Sequence, residues 1–261
     1  MVLSPHLDDA ALSLGAGLAE AAAHGTDVTV LTVLANDPAA SGPASAFEAA
    51  CGFDSAADAA RARRTEDRLA CTELGATPVW LPFGDMEYGL GTEEAVVRRA
   101  IVDAVTGADS VLVPGFPLDQ PDHAWLAQLV LEDPPTGVAV GLYVEQPYAT
   151  LRLIGRGRRT WSAGLTTGAG VRNLLHVAVP TRTGRALVEA GLPNALSAFT
   201  HSRPEWQPLR GSRAARAAKS RAVRAYESQI REFGPLVLER IAAYERAAGG
   251  EQVAWLPAPD G

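Results

Sequence analysis

The stretch Asp27-Val-Thr-Val-Leu-Thr-Val-Leu34 decides the fold of this chain. Its length and its β-branched residues predict a buried strand. An alanine- and leucine-rich segment with helical character, residues 9–24, comes before it, and the short apolar run Val2-Leu3-Ser4 comes before that segment. A strand, a helix and a second strand in this order are typical of a parallel sheet.

The same alternation continues to about residue 145. The pattern predicts helices over 57–74, 92–105 and 122–132, and strands over 78–82, 110–114 and 137–144. It therefore predicts an α/β fold with a Rossmann-like, mostly parallel sheet and helices on both faces. Between the second strand and the next helix, residues 36–55 are rich in Pro, Gly, Ala and Ser, which predicts a long surface loop.

The second half of the chain is less regular. Its pattern predicts an exposed loop or hairpin over 151–170, a strand over 174–179, a short helix over 182–190, a loop over 201–211, a long helix over 212–233 and a last helix over 236–248. We expect a single domain over residues 1–261, made of a Rossmann-like core (1–145) and an irregular C-terminal elaboration (146–261).

Composition narrows the functional classes. Hydrophobic residues make up 47% of the 261 residues, which is typical of a globular protein. The 30 acidic residues outnumber the 23 basic ones, and the net charge of −7 argues against binding to nucleic acid or to an anionic membrane. No apolar run approaches the roughly 20 residues of a membrane span. Residues 1–5 lack the pattern of a signal peptide, so we expect a cytoplasmic protein.

Polar side chains follow two of the predicted strands. His6, Asp8 and Asp9 come after the first strand, and His123 comes after the strand over 110–114. Ligands of open parallel sheets bind beyond the carboxyl ends of the strands. His6, Asp9 and His123 offer the nitrogen and oxygen atoms that Zn²⁺ accepts, in the number found at catalytic zinc sites. Asp8 lies in the same turn and is a candidate base for a water molecule.

Two alternatives to a catalytic metal site remain open at this point. Asp8 or Asp9 can instead cap the first helix, where a carboxylate accepts hydrogen bonds from free N–H groups. A metal-free nucleotide-binding domain is the other alternative. It is disfavoured because no G-x-G-x-x-G follows the first strand, and Gly15-Ala16-Gly17 falls inside the predicted helix.

The segment Pro5-His6-Leu7-Asp8-Asp9-Ala10 resembles the Pro-His-x-Asp-Asp-(Glu/Ala) signature of the PIG-L or LmbE-like family of zinc-dependent N-acetylglucosaminyl deacetylases. Further similarities follow in the order of that family: Arg63-Arg64-Thr65-Glu66 with Leu74-Gly75, Leu81-Pro82-Phe83-Gly84-Asp85, Gln120-Pro121-Asp122-His123, and the segment from Lys219 to Gln229. The resemblance extends over most of the chain.

This resemblance implies an LmbE-like fold and a hydrolase that removes an N-acyl group from an amino sugar or glycoconjugate, in bacterial secondary or thiol metabolism. It implies that His6, Asp9 and His123 bind one Zn²⁺ ion, with Asp8 as the general base. We expect Arg63, Asp85 and His201 to contact the substrate. Arg63 fits the Arg-x-x-Glu motif, Asp85 follows a strand, and His201 lies in a mixed polar and aromatic loop.

One residue departs from the family pattern. Gln120 stands where the family usually has a histidine, and glutamine can donate a hydrogen bond but cannot carry a charge or relay a proton. Loss of a charge-assisted donor to an oxyanion costs about 10²–10³ in rate. Gln120 remains a candidate catalytic residue, with compensation expected from His201 or an arginine. The alternatives are a slow or specialised enzyme, an amidase for thiol–sugar conjugates, or a non-catalytic accessory protein.

Overall fold

The computed structural model describes residues 1–39, 41–84, 93–151, 204–234 and 236–257. The strands are β1 (Val2–Ser4), β2 (Thr29–Thr32), β3 (Thr77–Trp80), β4 (Ser110–Phe116), β5 (Ala139–Val144), β6 (Gln207–Leu209) and β7 (Glu251–Trp255). The helices are α1 (Asp9–Ala23), α2 (Ala46–Ala50), α3 (Ala56–Leu74), α4 (Glu94–Val105), α5 (Pro121–Glu132), α6 (Arg213–Ala225), α7 (Glu227–Phe233) and α8 (Val237–Ala248).

The seven strands form one sheet in the order β3-β2-β1-β4-β5-β7-β6. The first five of these strands pair in parallel, whereas β7 pairs antiparallel with both β5 and β6. The mostly parallel α/β fold predicted from the sequence is therefore confirmed. Within the stretch predicted as a strand from Asp27 to Leu34, β2 forms over Thr29–Thr32 between β3 and β1, and its Leu31 is fully buried.

Hydrophobic cores lie on both faces of the sheet. Since successive side chains of a strand point to opposite faces, Val30 packs in one core and Leu31 in the other. On the Val30 face, α1, α3 and α6 pack against one another. The Leu31 face is covered by α4 and α5, which contribute Val97 and Leu126. Helices on both faces are thus confirmed as well.

The predicted loop over 36–55 is wrong in part, because it contains the short helix α2. The Ser45 hydroxyl accepts a hydrogen bond from the backbone N–H of Glu48, and the Glu48 carboxylate accepts one from the backbone N–H of Ser45. This capping box stabilises a helix of only five residues. The Glu48 side chain is fully buried in this arrangement.

Two predictions for the C-terminal region are also wrong. The loop predicted over 201–211 contains β6, and β7 has no counterpart among the predicted strands. The long helix predicted over 212–233 is interrupted at Tyr226, where the backbone has φ −84° and ψ 57°. At that break the buried Tyr226 hydroxyl donates a hydrogen bond to Asp67 of α3 at 2.7 Å. A tertiary contact therefore ends the helix where no local signal predicts it.

Of the other predictions for the second half of the chain, one is confirmed and the rest fall mostly outside the described residues. The helix over 236–248 is confirmed as α8. The segments 174–179 and 182–190, and the loop over 151–170 from residue 152 onward, lie outside the described residues. Within the described ranges, no helix has both the length and the apolar character to cross a bilayer. The division of a single domain at residue 145 stays a prediction.

Candidate metal centre

The candidate site lies at the topological switch point of the sheet, between β1 and β4, where the strand order reverses. From β1 the chain proceeds through α1 to β2 on one side, and from β4 it proceeds through α5 to β5 on the other. The connections that leave the neighbouring strands β1 and β4 diverge and open a crevice between them, which is the usual ligand site of open α/β sheets. His6 and Asp9 follow β1, and His123 lies in the first turn of α5 after β4.

The turn after β1 is held by its own hydrogen bonds. The Ser4 hydroxyl donates to the carbonyl of His6 at 2.6 Å and accepts from the backbone N–H of Ala10 at 3.0 Å. The backbone N–H of His6 donates to Asp9 Oδ2 at 2.9 Å. Asp8 occupies the N-cap position of α1, yet its side chain makes no capping hydrogen bond. The capping alternative is therefore wrong for Asp8.

The predicted ligand atoms of His6, Asp9 and His123 form a nearly equilateral triangle. His6 Nδ1 lies 3.3 Å from Asp9 Oδ2, His123 Nε2 lies 3.3 Å from the same oxygen, and the two nitrogen atoms lie 3.2 Å apart. A tetrahedral Zn²⁺ with ligand distances of about 2.0–2.1 Å has ligand–ligand edges of about 3.3–3.4 Å. These three atoms therefore fit one face of a zinc tetrahedron and leave the fourth corner for water or substrate.

Carboxylates outside the triangle orient both imidazoles. His6 Nε2 lies 2.9 Å from Asp122 Oδ2, and His123 Nδ1 forms a hydrogen bond with the buried Glu145. The second Glu145 oxygen accepts the backbone N–H of Leu118 at 3.0 Å. Each histidine thus uses one ring nitrogen to donate to a carboxylate and keeps the other for the triangle, as metal-bound histidines usually do.

The electrostatics of the cluster favour an added positive charge. Burial lowers the pKa of His6, but its hydrogen bonds to Asp122 and Asp9 outweigh burial and raise that pKa to about 10. The charges of Asp9 and Glu145 likewise outweigh burial and raise the pKa of His123. Imidazoles that hold protons this tightly indicate an excess of buried carboxylate, and a divalent cation satisfies the same excess.

The two neighbouring carboxyl groups of the first motif differ in environment. Burial, together with the charge of Asp9, raises the pKa of Asp8. For Asp9, the charge of His123 and the hydrogen bond with His6 outweigh burial and lower the pKa. One carboxyl group thus holds protons readily beside a group that stays ionised, which is how a base and a ligand divide their roles.

Arg63 lies close to the site, but its guanidinium group already pairs with other side chains of the protein. It is buried on α3, donates to Gln229 Oε1 at 2.9 Å, and lies 3.6 Å from Glu48 Oε1. Its charge lowers the pKa of Asp8, in opposition to burial. Among the described residues its Nε atom has no hydrogen-bond partner. Substrate contact by Arg63 stays a prediction that depends on this atom.

Of the other predicted site residues, the described part of the chain includes only Gln120, which does not join the cluster. Gln120 is exposed at the N-cap of α5, and its side chain makes no capping hydrogen bond. Asp85 and His201 lie outside the described residues.

Sequence reasoning missed Glu145 and Tyr148. Both follow β5, the strand next to β4, so a survey of every strand end would have found them. The Tyr148 ring contacts the ring of His123 edge-on, with centroids 5.2 Å apart.

Residues 1–132 match the model of the PIG-L family, described as GlcNAc-PI de-N-acetylase. The matched segment runs from β1 to the end of α5 and so contains His6, Asp9 and His123. A search of curated protein sequences gives no match.

Solved structures of deacetylases resemble the whole described chain. The A40926 pseudoaglycone deacetylase Dbv21 is 26% identical, with a TM-score of 0.71 over 98% of this chain and 95% of that one. The zinc-inhibited form of teicoplanin deacetylase Orf2 is 22% identical (TM-score 0.70, 100% and 98% covered). N,N'-diacetylchitobiose deacetylase from Pyrococcus horikoshii is 16% identical (TM-score 0.51, 98% and 81% covered). The likeness to teicoplanin deacetylase Orf2 and to the chitobiose deacetylase shows that this chain has the same fold as those two proteins. The family match and the likeness to Dbv21 support hydrolysis of N-acetyl groups.

Proposed function

Because the chain belongs to the PIG-L (GlcNAc-PI de-N-acetylase) family, we propose that it is a metal-dependent hydrolase that removes an acetyl or other N-acyl group from an amino sugar or glycoconjugate. One observation carries the proposal. Three ligand atoms with the spacing of a zinc tetrahedron lie next to a buried carboxyl group, Asp8, that does not cap its helix.

The residues that would hold the ion are His6, Asp9 and His123, with Asp122 and Glu145 fixing the two imidazoles. One aspartate and two histidines are a donor set that Zn²⁺ accepts. When bound, the ion supplies Lewis acidity toward a water molecule and toward the amide carbonyl of the substrate.

Asp8 performs the proton transfers in this proposal. Its carboxylate takes a proton from the attacking water as the new carbon–oxygen bond forms. It then returns that proton to the amine nitrogen as the carbon–nitrogen bond breaks, so that a carboxylic acid and a free amine are released. Burial and the neighbouring Asp9 raise its pKa toward the range in which a group both accepts and donates protons.

The substrate class is proposed from the neighbours. Dbv21 is a deacetylase of a pseudoaglycone, and Orf2 is a teicoplanin deacetylase. We infer a small N-acylated sugar or glycoconjugate for this chain as well, in a bacterial secondary or thiol pathway. Arg63, Asp85 and His201 remain the candidates for substrate contact, Gln120 remains a candidate catalytic residue, and a cytoplasmic location remains a prediction from the sequence.

The test is hydrolysis of a panel of N-acetyl amino sugars and N-acyl glycoconjugates by zinc-loaded protein, with the released acid and the free amine both quantified. Asp8→Asn is the matched control, because it removes the base without changing the shape of the side chain. Release of acetate supports a deacetylase, and release of a larger acid supports the amidase alternative. Full zinc loading without release of acid from any compound contradicts the proposal and supports an accessory protein.

A further inference from the structure

The amide oxygen of the substrate needs a hydrogen-bond donor. When water adds to an amide, negative charge develops on that oxygen, and a positioned donor stabilises it. Gln120 is exposed and carries no charge, so it is a weak candidate for this role. The guanidinium group of Arg63 already donates a hydrogen bond to Gln229 and forms an ion pair with Glu48.

Tyr148 supplies a phenol next to His123, one of the three predicted ligands. It begins a helical turn three residues after Glu145, the residue that binds His123. Its ring meets the His123 ring edge-on, at an interplanar angle of 89° and a centroid distance of 5.2 Å. Edge-to-face packing at this distance is a favoured arrangement of aromatic rings, so it holds the tyrosine against the ligand triangle.

The Tyr148 side chain lies beside the ligand triangle and is partly exposed. Burial, followed by the charges of Asp9, Asp8 and Glu145, raises the pKa of Tyr148. His123 and Glu145 follow the neighbouring parallel strands β4 and β5, so Tyr148, three residues after Glu145, lies at the same edge of the sheet as the triangle. The residue is nevertheless partly exposed, so a bound substrate can reach it.

We propose that the Tyr148 hydroxyl donates a hydrogen bond to the amide oxygen of the substrate as that oxygen becomes negatively charged. The phenol keeps its proton throughout, so Asp8 remains the only group that transfers one. In this way Tyr148 takes the place of the histidine that Gln120 replaces. The inference rests on the proposed function, because it assigns a donor for the same reaction.

The first experiment compares Tyr148→Phe with the wild-type protein on the best substrate of the panel. Phenylalanine keeps the ring against His123 and removes only the hydroxyl. We expect kcat to fall about 10²-fold, as for a removed oxyanion donor, with KM and zinc content little changed. Tyr244→Phe is the matched control, since Tyr244 packs beside Phe116, Val144 and Ala149 and is not among the site residues.

A second experiment does not depend on turnover. Acetate offers oxygen atoms like those of the reacting group, and its affinity for the zinc-loaded protein is measured by calorimetry. The lost hydrogen bond to a charged oxygen weakens acetate binding to Tyr148→Phe about tenfold or more. Tyr244→Phe binds acetate as the wild type does.

Each outcome decides the inference. A wild type that hydrolyses the substrate, with Tyr148→Phe equal to it in kcat and in acetate affinity, overturns the role of Tyr148 and leaves the proposed function intact. A loss of zinc from Tyr148→Phe also overturns it, because the residue then supports the ligands. A wild type that neither hydrolyses any compound nor binds acetate contradicts the proposed function and this inference together.

Discussion

Two buried ionic clusters contact helix α1, and they differ in how their charges are balanced. The switch-point cluster, at the N-terminal end of α1, consists of His6, Asp8, Asp9 and His123 with the outer carboxylates Asp122 and Glu145. The lysine cluster, at the middle of α1, consists of Lys219, Glu245 and Glu251. Both are largely buried, but only the lysine cluster contains a lysine or arginine of its own.

The lysine cluster is closed. Lys219, the single lysine of the chain, donates to Glu251 at 2.6 Å and also binds Glu245. Glu251 accepts in addition the backbone N–H groups of Ala16 and Gly17, at 2.9 and 2.6 Å. A Cβ at Gly15 would lie 2.9 Å from Lys219 Cγ, so glycine at this position admits the lysine stem against the helix.

The switch-point cluster is open. It has four carboxylates and two imidazoles but no lysine or arginine, and its carboxylates raise the pKa values of both histidines. A cluster with a built-in lysine stabilises one structure, whereas carboxylates around imidazoles can instead take up a cationic ligand. The lysine cluster therefore stabilises the fold, and the switch-point cluster is the candidate functional site.

The largest effect is expected from Asp8→Asn. Loss of the base should lower kcat about 10³–10⁴-fold while the zinc content stays at the wild-type level. Steady-state kinetics together with elemental analysis measure both quantities. Loss of most of the zinc would instead make Asp8 a ligand and contradict the division of roles between Asp8 and Asp9.

Lys219→Met tests the closed cluster. It leaves two carboxylates buried without their cation and should lower the free energy of unfolding by about 3–5 kcal/mol. Chemical denaturation measures the change. Arg221→Gln, which removes an exposed ion pair with Glu73, is the control and should cost less than about 1 kcal/mol. If Lys219→Met abolished zinc binding in folded protein, the two clusters would not be separate.

Asp67, which accepts hydrogen bonds from Tyr226 and Trp80, gives a prediction about pH. Burial raises its pKa to about 6, although both hydrogen bonds oppose the shift. The folded protein therefore holds this proton more tightly than the unfolded chain. The resulting stability is complete below about pH 4 and is lost as pH rises through 6, about 2–3 kcal/mol in all.

Denaturation of the wild type and of Asp67→Asn at several pH values measures this effect. The free energy of unfolding of the wild type, relative to the variant, should fall between pH 4 and pH 7. A difference that is constant over this interval would show that burial does not shift the pKa of Asp67.

The smallest effect is expected from Glu145→Gln. An amide holds the His123 imidazole less firmly than a carboxylate does, so zinc affinity should fall about 10–100-fold. Competition with a chromogenic chelator measures it. Glu94→Gln, at an exposed glutamate on α4, is the control. Equal affinities of Glu145→Gln and the wild type would remove Glu145 from the support of the metal site.

The sequence was sufficient for the features that depend on local pattern. The strand from Asp27 to Leu34 follows from its β-branched residues, and the triangle of His6, Asp9 and His123 follows from the rule that ligands lie at strand ends. The strand is found from neighbouring residues alone, whereas the triangle also needs the expected parallel sheet, which brings two strand ends to one edge. A resemblance to one family then supplied the chemistry, and the match over residues 1–132 bears that family out.

The sequence was insufficient where distant contacts decide the structure. The break at Tyr226 depends on Asp67, 159 residues away, and β7 forms by pairing with β5 across a long connection. A glutamate and a tyrosine after β5 match no metal-ligand or catalytic motif, so their position at a strand end is the one sequence signal for Glu145 and Tyr148. Only the adjacency of β4 and β5 brings both residues to His123.

Zinc content after loading and gel filtration tests the central claim most directly. The wild type should retain one equivalent of zinc per chain, and His24→Ala, at an exposed histidine on the end of α1, should retain the same amount. His6→Ala and His123→Ala should each retain less than about a tenth of it, because a tetrahedral site with three protein ligands loses one of them. Wild-type protein that binds no zinc, or variants that keep the full equivalent, would contradict the account.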